Sequence, residues 1–437
     1  MSKYHVLFAI ILVFLAFAAI YFNGQKEEFN CDNCNIILIQ ITVLRADHVG
    51  YYGYFRNTTP NIDNLASKSV VFSNVYSQAT WTLPSAGTIF TSLYPSQHGL
   101  VTQESPSFDK SFATFAEVLQ NNSYTTAGFV DHAHVSAQYG FARGFAYWDQ
   151  KGAFEDKRFP NETKYSGIEK VNGRAEDWIL QNKGKKFFLF LHYFNLHAPY
   201  ISPQPYLNYF DPSYNGSLNT YGKLESDIQA NIKNPNDLQH LIAQYDGDIR
   251  YVDSEVGKLL NFLDKEGLER KTVIIILGDH GEEFMQHGRI GHTLYLYKNI
   301  LHVPVIIHFP SNAHMLVNSS SGLIDVPETI LKIAGINSPL QFEGIDMFNQ
   351  SRDFVFSEYL DSYSIINPSE QLIVKYWNGT DFSKELYNLT SDPNETRNIY
   401  GLNPDHDDYL NSIMSSYLLM TNHSYQNIKI SPLQPYP

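Results

Sequence analysis

Three nearly uninterrupted apolar segments constrain the fold of this chain more than any other feature. They read IILIQIT from Ile36, FFLFLHYF from Phe187 and VIIIL from Val273. Runs of this length and composition are typical of strands that are buried on both faces of a sheet. Helical patterns lie between them, and the longest covers residues 242–268. This alternation predicts an α/β fold with a mostly parallel sheet flanked by helices.

The sequence pattern changes near residue 351. The segments FVFSEYL, QLIVKYWNG and KELYNLTSDP are short and aromatic, which indicates a few antiparallel strands, and a helical pattern follows over Asp407–Met420. The chain has 437 residues, enough for one large domain with an appendage. We therefore expect a leader and linker over 1–30, an α/β domain over 31–350 and a C-terminal α+β subdomain over 351–437.

The N-terminus carries an apolar run, Val6–Phe22, which Lys3 precedes. At about 1.5 Å per residue, this run is slightly short of a bilayer core. It fits an uncleaved membrane-anchoring helix, or a signal peptide cleaved near the small residues Ala16–Ala18. The anchor is favoured because the apolar run continues past that site. Both interpretations predict export, to the cell membrane as a single-pass protein with an extracytoplasmic domain, or into the medium.

Two weaker features agree with export. The only two cysteines, Cys31 and Cys34, lie close together before the first strand. In an oxidising compartment they would form a local disulfide. A zinc site would need further ligands nearby, and a redox-active pair would normally follow a strand and open a helix. Ten N-x-S/T sequons, including Asn57 and Asn161, would allow glycosylation in a host that glycosylates.

The charge of the chain bears on its partners. The formal net charge is −14, from 31 Lys and Arg against 45 Asp and Glu, and the sequence has no long basic run. Nucleic acid is therefore not expected as a partner. An anionic substrate stays compatible with this charge, because a bound metal or a helix terminus can dominate the local field.

Asp279 and His280 directly follow the apolar segment that begins at Val273. In an open α/β sheet, ligands bind beyond the carboxyl ends of the strands. A carboxylate oxygen and an imidazole nitrogen at such a place suit a divalent metal ion. The alternative is a solvated loop in which the aspartate caps the backbone.

A second candidate is Thr82, which precedes Pro84 and Ser85 where a helix begins. A hydroxyl at a helix N-terminus lies where free N–H groups and the helix dipole attract anions. That position suits a nucleophile that attacks phosphate or sulfate. The alternative is ordinary N-capping, which Ser and Thr often provide.

Histidines also follow the strands. His192 and His197 come at and after the strand that begins at Phe187, and His287 and His292 lie in a glycine-marked loop. A histidine at a strand end can protonate a leaving group. Structural hydrogen bonding, or simple exposure in the loop, explains these residues equally well.

Together these stretches resemble the sulfatase family, within the alkaline phosphatase-like superfamily. The resemblance covers Cys34 to about Asn398. It rests on eight segments in the family's order: LRADHVGYYGYFRNTTPNIDNLA, LPSAGTIFTSLYPSQHGL, YGFARGF, HYFNLHAPY, YDGDIRYVD, LGDHGEEFMQHGRIGHTLYLY, VPVIIHFP and LYNLTSDPNETRN.

The resemblance implies a hydrolase of sulfate or phosphate esters with a divalent metal, usually calcium in sulfatases. Asp279 and His280 match the metal-binding pair, and Thr82 matches the nucleophile. His197 resembles the histidine near the leaving-group oxygen, and His292 falls where a Lys or His contacts the transferred anion.

Three departures from the family pattern follow from the same resemblance. Thr42 stands where a metal-binding Asp is expected, and Asp47, which relatives also carry, does not obviously replace it. Ala86 stands where a basic residue normally follows Pro-Ser. Thr82 is not a substrate for formylglycine formation, as Cys or Ser would be, although Thr is the nucleophile of phosphodiesterases and phosphoethanolamine transferases of the superfamily.

These departures leave two hypotheses. A neutral Thr42 hydroxyl would bind a metal ion more weakly than a carboxylate, so calcium is expected to bind weakly or not at all. Loss of the basic neighbour of Thr82 removes stabilisation from an oxyanion, which can cost about 10²–10³ in rate. The first hypothesis is a metal-dependent hydrolase of a sulfated or phosphorylated small molecule, glycan or lipid. The second is a catalytically impaired surface protein that binds anionic glycans or lipids.

Overall fold

The computed structural model describes residues 29–159, 164, 166–377 and 381–421. The strands are β1 (Asn35–Ile41), β2 (Val70–Tyr76), β3 (Thr125–Val130), β4 (Tyr147–Asp149), β5 (Phe187–Tyr193), β6 (Thr272–Gly278), β7 (Glu283–Phe284), β8 (Ile290–Gly291), β9 (His302–His308), β10 (Met315–Gly322), β11 (Val355–Tyr359), β12 (Ser362–Ile366), β13 (Glu370–Trp377) and β14 (Asp381–Asn388). The central sheet has eight strands in the order β10-β2-β9-β6-β1-β5-β3-β4, and four further strands form a second sheet in the order β11-β12-β13-β14.

Strand β1 lies at the centre of the large sheet, parallel to β5 on one side and β6 on the other. Ile41, its last residue, is in register with Tyr193 of β5 and Gly278 of β6. The three strands therefore end at the same level, and the residues that follow them meet at one edge. Because Thr42 follows β1 and Asp279 follows β6, the register alone brings these two residues together.

Helices cover both faces of the large sheet, as the sequence predicted. One apolar core contains side chains of α1, α5 and α7, and the opposite core contains side chains of α2, α4 and α9. The helices are α1 (Pro60–Ala66), α2 (Thr82–Thr91), α3 (Pro95–His98), α4 (Phe115–Asn121), α5 (Ile168–Asn182), α6 (Glu225–Asn231), α7 (Pro235–Lys265), α8 (Lys298–Leu301), α9 (Val326–Ile333) and α10 (Pro404–Met420).

The C-terminal part forms an antiparallel sheet, β11 to β14, against which α10 packs. The predicted closing helix is present, but it begins at Pro404 rather than at Asp407. Its core also includes Tyr94 and Ile324 from the large domain, so the two parts share an apolar contact.

Two further elements differ from their sequence prediction. Helix α7 begins at Pro235, seven residues before the predicted start at 242, and the Asn234 side chain caps it by accepting from Asn236 N and Asp237 N. Its first turns are polar and carry little apolar periodicity, so no helical pattern is visible there. Strand β10 was not predicted, because only its first residues are apolar and the first five of its eight residues are partly or fully exposed at the sheet edge.

The predicted N-terminal anchor, Val6–Phe22, lies outside the described residues. Within the described ranges, no helix has both the length and the apolar character needed to cross a membrane. The predicted local disulfide is confirmed, since Cys31 and Cys34 are joined. The Cys31 backbone N–H also donates to the carbonyl of Ile333, which fastens this linker to the end of α9.

The buried carboxylate of Asp248 generates a stability prediction. Its Oδ1 accepts from Ser202 N at 2.9 Å, whereas Oδ2 has no partner among the described residues. Burial raises the pKa of Asp248 to about 8. The unfolded chain releases this proton near pH 4, so folding becomes less favourable as the pH rises from about 4 to 8.

We expect Asp248→Asn to keep the Ser202 hydrogen bond and to remove this pH-dependent cost. Thermal unfolding should then show a stabilisation of the variant that is small at pH 4 and grows up to pH 8. Asp246→Asn is the matched control, because the Asp246 carboxylate accepts from His48, Tyr54 and Arg56. Breaking that buried pairing should destabilise by about 3–5 kcal/mol. Equal melting curves for Asp248→Asn and the unmodified protein across this pH range would contradict the account.

Candidate active site at the ends of three central strands

The Asp279 carboxylate lies fully buried where β1 and β6 end. Its Oδ1 accepts from the backbone N–H groups of Val43, at 3.1 Å, and His280, at 2.8 Å. Its Oδ2 accepts from Gln40 Nε2 at 3.0 Å and from the Thr42 hydroxyl at 3.2 Å. A carboxylate has about four acceptor positions, so these four donors satisfy it completely.

Thr42 also contacts a histidine, His192, whose Nε2 lies 2.9 Å from the Thr42 hydroxyl oxygen. Because the Thr42 hydroxyl gives its single proton to Asp279, His192 Nε2 donates to Thr42. The buried His192 Nδ1 then has no partner among the described residues, and neither has Oε1 of Gln40, the register neighbour of His192. The His192 imidazole therefore lies beside Thr42, the position at which the family pattern has a metal-binding Asp.

The loop after Thr42 is strained. Val43 has φ 66, a left-handed conformation that is rare for a β-branched residue and costs on the order of 1–3 kcal/mol. The Asp279 carboxylate accepts from the Val43 N–H, and the Tyr245 hydroxyl donates to the Val43 carbonyl at 2.6 Å.

Later in the same loop, the Arg45 guanidinium donates to the Asp47 carboxylate at 2.7 and 2.9 Å. Asp47 thus neutralises Arg45 and does not replace the carboxylate missing at Thr42.

Thr82 and His280 form a hydroxyl–imidazole pair. His280 Nδ1 lies 3.0 Å from the carbonyl oxygen of Gly281, which can only accept, so Nδ1 carries the ring proton. In the neutral ring, Nε2 therefore has a free lone pair, and it accepts from the Thr82 hydroxyl at 3.2 Å. Asp279 Oδ1 lies 3.5 Å from the same Nε2 and would stabilise the imidazolium that forms on protonation.

Helix α2 begins at Thr82, as predicted, and its N-cap residue is Trp81. Thr82 is thus the first helical residue and not the cap, which leaves its hydroxyl free for His280. Ser85, one turn away, donates its hydroxyl to the Asp279 carbonyl at 2.6 Å and locks the helix to the end of β6. Ala86 is buried in an apolar core, so its position supplies no cation to the cleft.

Two further imidazoles and two carboxylates lie beside His280. His197 Nε2 is 3.9 Å from Glu225 Oε1, and His292 Nδ1 is 3.8 Å from the same oxygen. His292 Nδ1 also lies 3.1 Å from Glu282 Oε1. The ring centroids of His280 and His292 are 4.5 Å apart. The cluster therefore continues directly from the Thr82–His280 pair, and Glu225 is a member that the sequence analysis missed.

The sequence analysis also missed two histidines after β3. His132 stacks on Phe194 with ring centroids 3.8 Å apart, and Phe194 stacks on His197 at 4.6 Å. His134 lies edge-on to His132, at 4.5 Å. Their segment, VDHAHV, directly follows the end of β3, so the rule that located Asp279 would have located them. By contrast, His287, which the sequence analysis considered, pairs with Glu283 outside this cluster.

Burial controls the charges of the cleft. It lowers the pKa of His192 and of His134 to about 3, and it lowers the pKa of His197 and His292 from the usual histidine value. At neutral pH these imidazoles are uncharged. Burial also raises the pKa of Glu225, and the neighbouring Glu282 charge raises it further. The cleft thus contains uncharged imidazole rings beside two carboxyl groups.

The corner at Thr42 and Asp279 does not fit a calcium ion. Calcium prefers six to eight oxygen ligands with several carboxylates. This corner supplies one carboxylate, and four N–H and O–H donors already occupy its acceptor positions. The adjacent groups are the neutral Thr42 hydroxyl and the imidazoles of His192 and His280. The loop after β1 thus forms hydrogen bonds to Asp279 and His192 and does not supply the several carboxylate oxygens that calcium prefers.

Comparison with known proteins supports this assignment of the fold. Arylsulfatase K of Rattus norvegicus is 24% identical over 402 residues, which cover 78% of this chain and 70% of that protein. A solved structure of a protein in complex with its substrate D-glucosamine-2-N,6-O-disulfate has a TM-score of 0.73 at 20% identity, with 91% of this chain and 99% of that chain covered.

Phosphonate monoester hydrolase of Agrobacterium radiobacter has the same fold, with a TM-score of 0.70 at 18% identity and 90% and 96% coverage of the two chains. At such identities these structures show the fold. The sequence model of one family, Sulfatase, matches residues 34–336, which is more than half of the chain. The chain belongs to the sulfatase family.

Proposed function

We propose that the protein hydrolyses a phosphate or sulfate ester, with Thr82 as the nucleophile and His280 as its general base. The observation that carries this proposal is the hydrogen bond from the Thr82 hydroxyl to His280 Nε2, at 3.2 Å. A nucleophile and a base within hydrogen-bond reach, with a third group that orients the base, is the arrangement of activated hydroxyl enzymes. Here the Gly281 carbonyl fixes the tautomer of His280.

The reaction follows from these positions. Thr82 Oγ1 forms a bond to phosphorus or sulfur as the bond to the ester oxygen breaks, and the Thr82 proton moves to His280 Nε2. The released alkoxide takes a proton from water. The hydroxide formed then attacks the Thr82 ester, which releases inorganic phosphate or sulfate, and the Thr82 oxygen takes its proton back from His280 Nε2. No step is assigned to a metal at Asp279, whose role is to position His280 and the Thr42 loop.

The start of α2 supports an anionic substrate. The first N–H groups and the dipole of this ten-residue helix point toward the position that Thr82 occupies. Solved structures with the same fold include a complex with a disulfated glucosamine and a phosphonate monoester hydrolase. We therefore infer a sulfated or phosphorylated small molecule or glycan as the substrate. A threonine nucleophile favours the phosphoester.

We expect Thr82→Ala to reduce turnover at least about 10³-fold, because the variant lacks the attacking oxygen. Thr82→Ser is the matched control and should keep most of the activity, since it retains the hydroxyl and the bond to His280. The measurement uses the purified chain with an aryl sulfate, an aryl phosphate and a phosphodiester in separate assays, which also identifies the ester class. Unchanged turnover in Thr82→Ala would contradict the mechanism, and no turnover of any ester by the unmodified protein would favour a binding protein.

The poor fit of calcium to the Thr42–Asp279 corner generates a second prediction. Thr42→Asp would place a second carboxylate against Asp279 Oδ2, which now lies 3.2 Å from the Thr42 hydroxyl. Without metal the two charges repel, so the variant should melt at a lower temperature than the unmodified protein. Calcium should reverse this loss, by about 2.7 kcal/mol at a concentration of 100 times its Kd.

Thr42→Asn is the control for that experiment, because it has nearly the same shape as Asp without the charge. Its melting temperature, and that of the unmodified protein, should not respond to calcium. A calcium-dependent rise in the unmodified protein as large as that of Thr42→Asp would show that the native corner already binds the ion.

We also propose that the domain functions outside the cytoplasm. The apolar run Val6–Phe22 and the disulfide between Cys31 and Cys34 support this location. In intact cells, a membrane-impermeant protease should digest the domain, or the domain should be recovered from the medium. Protection from the protease together with absence from the medium would contradict export.

A further inference from the structure

We propose that His197, Glu225 and His292 form a binding site for one Zn²⁺ ion, beside the Thr82–His280 pair. The site is separate from the Thr42–Asp279 corner. The binding of the ion is inferred from these three residues alone. Its contribution to turnover rests on the proposed ester hydrolysis.

The geometry of the three residues suits one ion. One ligand atom from each residue can be chosen so that all three atoms lie within 4.8 Å of one another. Both imidazoles face the same carboxylate oxygen, Glu225 Oε1, which is 3.9 Å from His197 Nε2 and 3.8 Å from His292 Nδ1. Ligand atoms around a tetrahedral zinc ion are roughly 3–3.5 Å apart, so small side-chain movements would complete the site.

His197 is held in the tautomer that a metal requires. Its Nδ1 lies 2.9 Å from the Ala198 carbonyl oxygen, to which it must donate, so the lone pair is on Nε2. Metal-binding histidines are typically oriented in this way, by a carbonyl that accepts from the other ring nitrogen. The stacking of the ring on Phe194 further fixes its direction. A neutral His197 therefore presents a lone pair, and not a proton, to the cleft.

The absence of a side chain at Gly291 leaves space for the Glu225 carboxylate. Helix α6 is attached to the β7–β8 hairpin by Gln229, which accepts from Ile290 N at 3.0 Å and donates to Gly288 O at 3.3 Å. Gly291 has φ 100, and a Cβ atom there would overlap Glu225 Oε2. Among the described residues, the only ion-pair partners of Glu225 are His197 and His292. This carboxylate is thus seated between two imidazoles.

The ligand types indicate zinc rather than calcium. Two imidazole nitrogens and one carboxylate, with a further position open, are the ligands of many catalytic zinc sites, whereas calcium prefers oxygen ligands. His292 Nδ1 and Glu282 Oε1, 3.1 Å apart, share one proton, which zinc binding at Nδ1 would release, and Glu282 Oε1 would then be free to serve as a fourth ligand. Since His280 and His292 are neighbours, the ion would lie where it can polarise an ester bound at Thr82.

The experiment uses the full chain, freed of metal with a chelator and without substrate. Isothermal titration with ZnCl₂ should show one bound equivalent, and CoCl₂ should give visible absorption bands of a low-coordinate site. Glu225→Gln and His292→Gln should each weaken zinc binding at least about 100-fold, since loss of even an outer partner of a ligand costs about 10–100-fold. Melting curves will show that both variants are folded.

His287→Gln is the matched control, because His287 lies in the same hairpin but pairs with Glu283. It should bind zinc normally, as should Thr82→Ala and Asp279→Asn. Absence of zinc binding, or stoichiometric binding that Glu225→Gln and His292→Gln retain, would overturn the proposal. Loss of binding in Asp279→Asn alone would place the ion at the Asp279 corner and would also overturn it. Because binding is read without turnover, failure of the nucleophile assignment would leave these results unaffected.

Discussion

The buried carboxylate of Asp279 is the interaction on which the rest of the site depends. Four donors from two strands and their loops converge on its two oxygens. Hydrogen bonds to a charged group contribute about 1.5–3 kcal/mol each, and each unpaired buried donor costs a similar amount. This network keeps Val43 in a left-handed conformation that it would not otherwise adopt. It also fixes the start of the loop that carries His280, and thereby the distance from His280 to Thr82.

The same network explains how the site accommodates a threonine at position 42. The Thr42 hydroxyl links His192 to Asp279, so a chain of hydrogen bonds occupies the space of a second carboxylate. The carboxyl group and the imidazoles of the proposed zinc site instead lie across the cleft, at His197, Glu225 and His292. In the proposed mechanism, the Thr82 hydroxyl and its base His280 need neither calcium nor formylglycine, so that mechanism does not require an anionic ligand at Thr42.

The sequence predicted the α/β sheet and the residues that follow β1, β5 and β6, because apolar strands and their polar ends are local patterns. It also predicted that a helix begins near Thr82, from the Pro that follows in the first turn. It could not show that His192 bonds Thr42, since their proximity arises from the register of β1 with β5. Glu225 was missed because α6 is short and polar and reaches the site only by packing on the β7–β8 hairpin. Contacts between distant segments are fixed by the folded structure and not by any local pattern.

In the proposed mechanism, Thr82 attacks the substrate through its hydroxyl oxygen. The most direct test is mass spectrometry of the protein after rapid acid quenching during turnover of a good ester substrate. The account predicts that the peptide containing Thr82 gains the mass of one phosphate or sulfate group, and that fragmentation places the added group on Thr82. A modification on another residue, or turnover with no covalent adduct under conditions where release of the anion is rate-limiting, would contradict it.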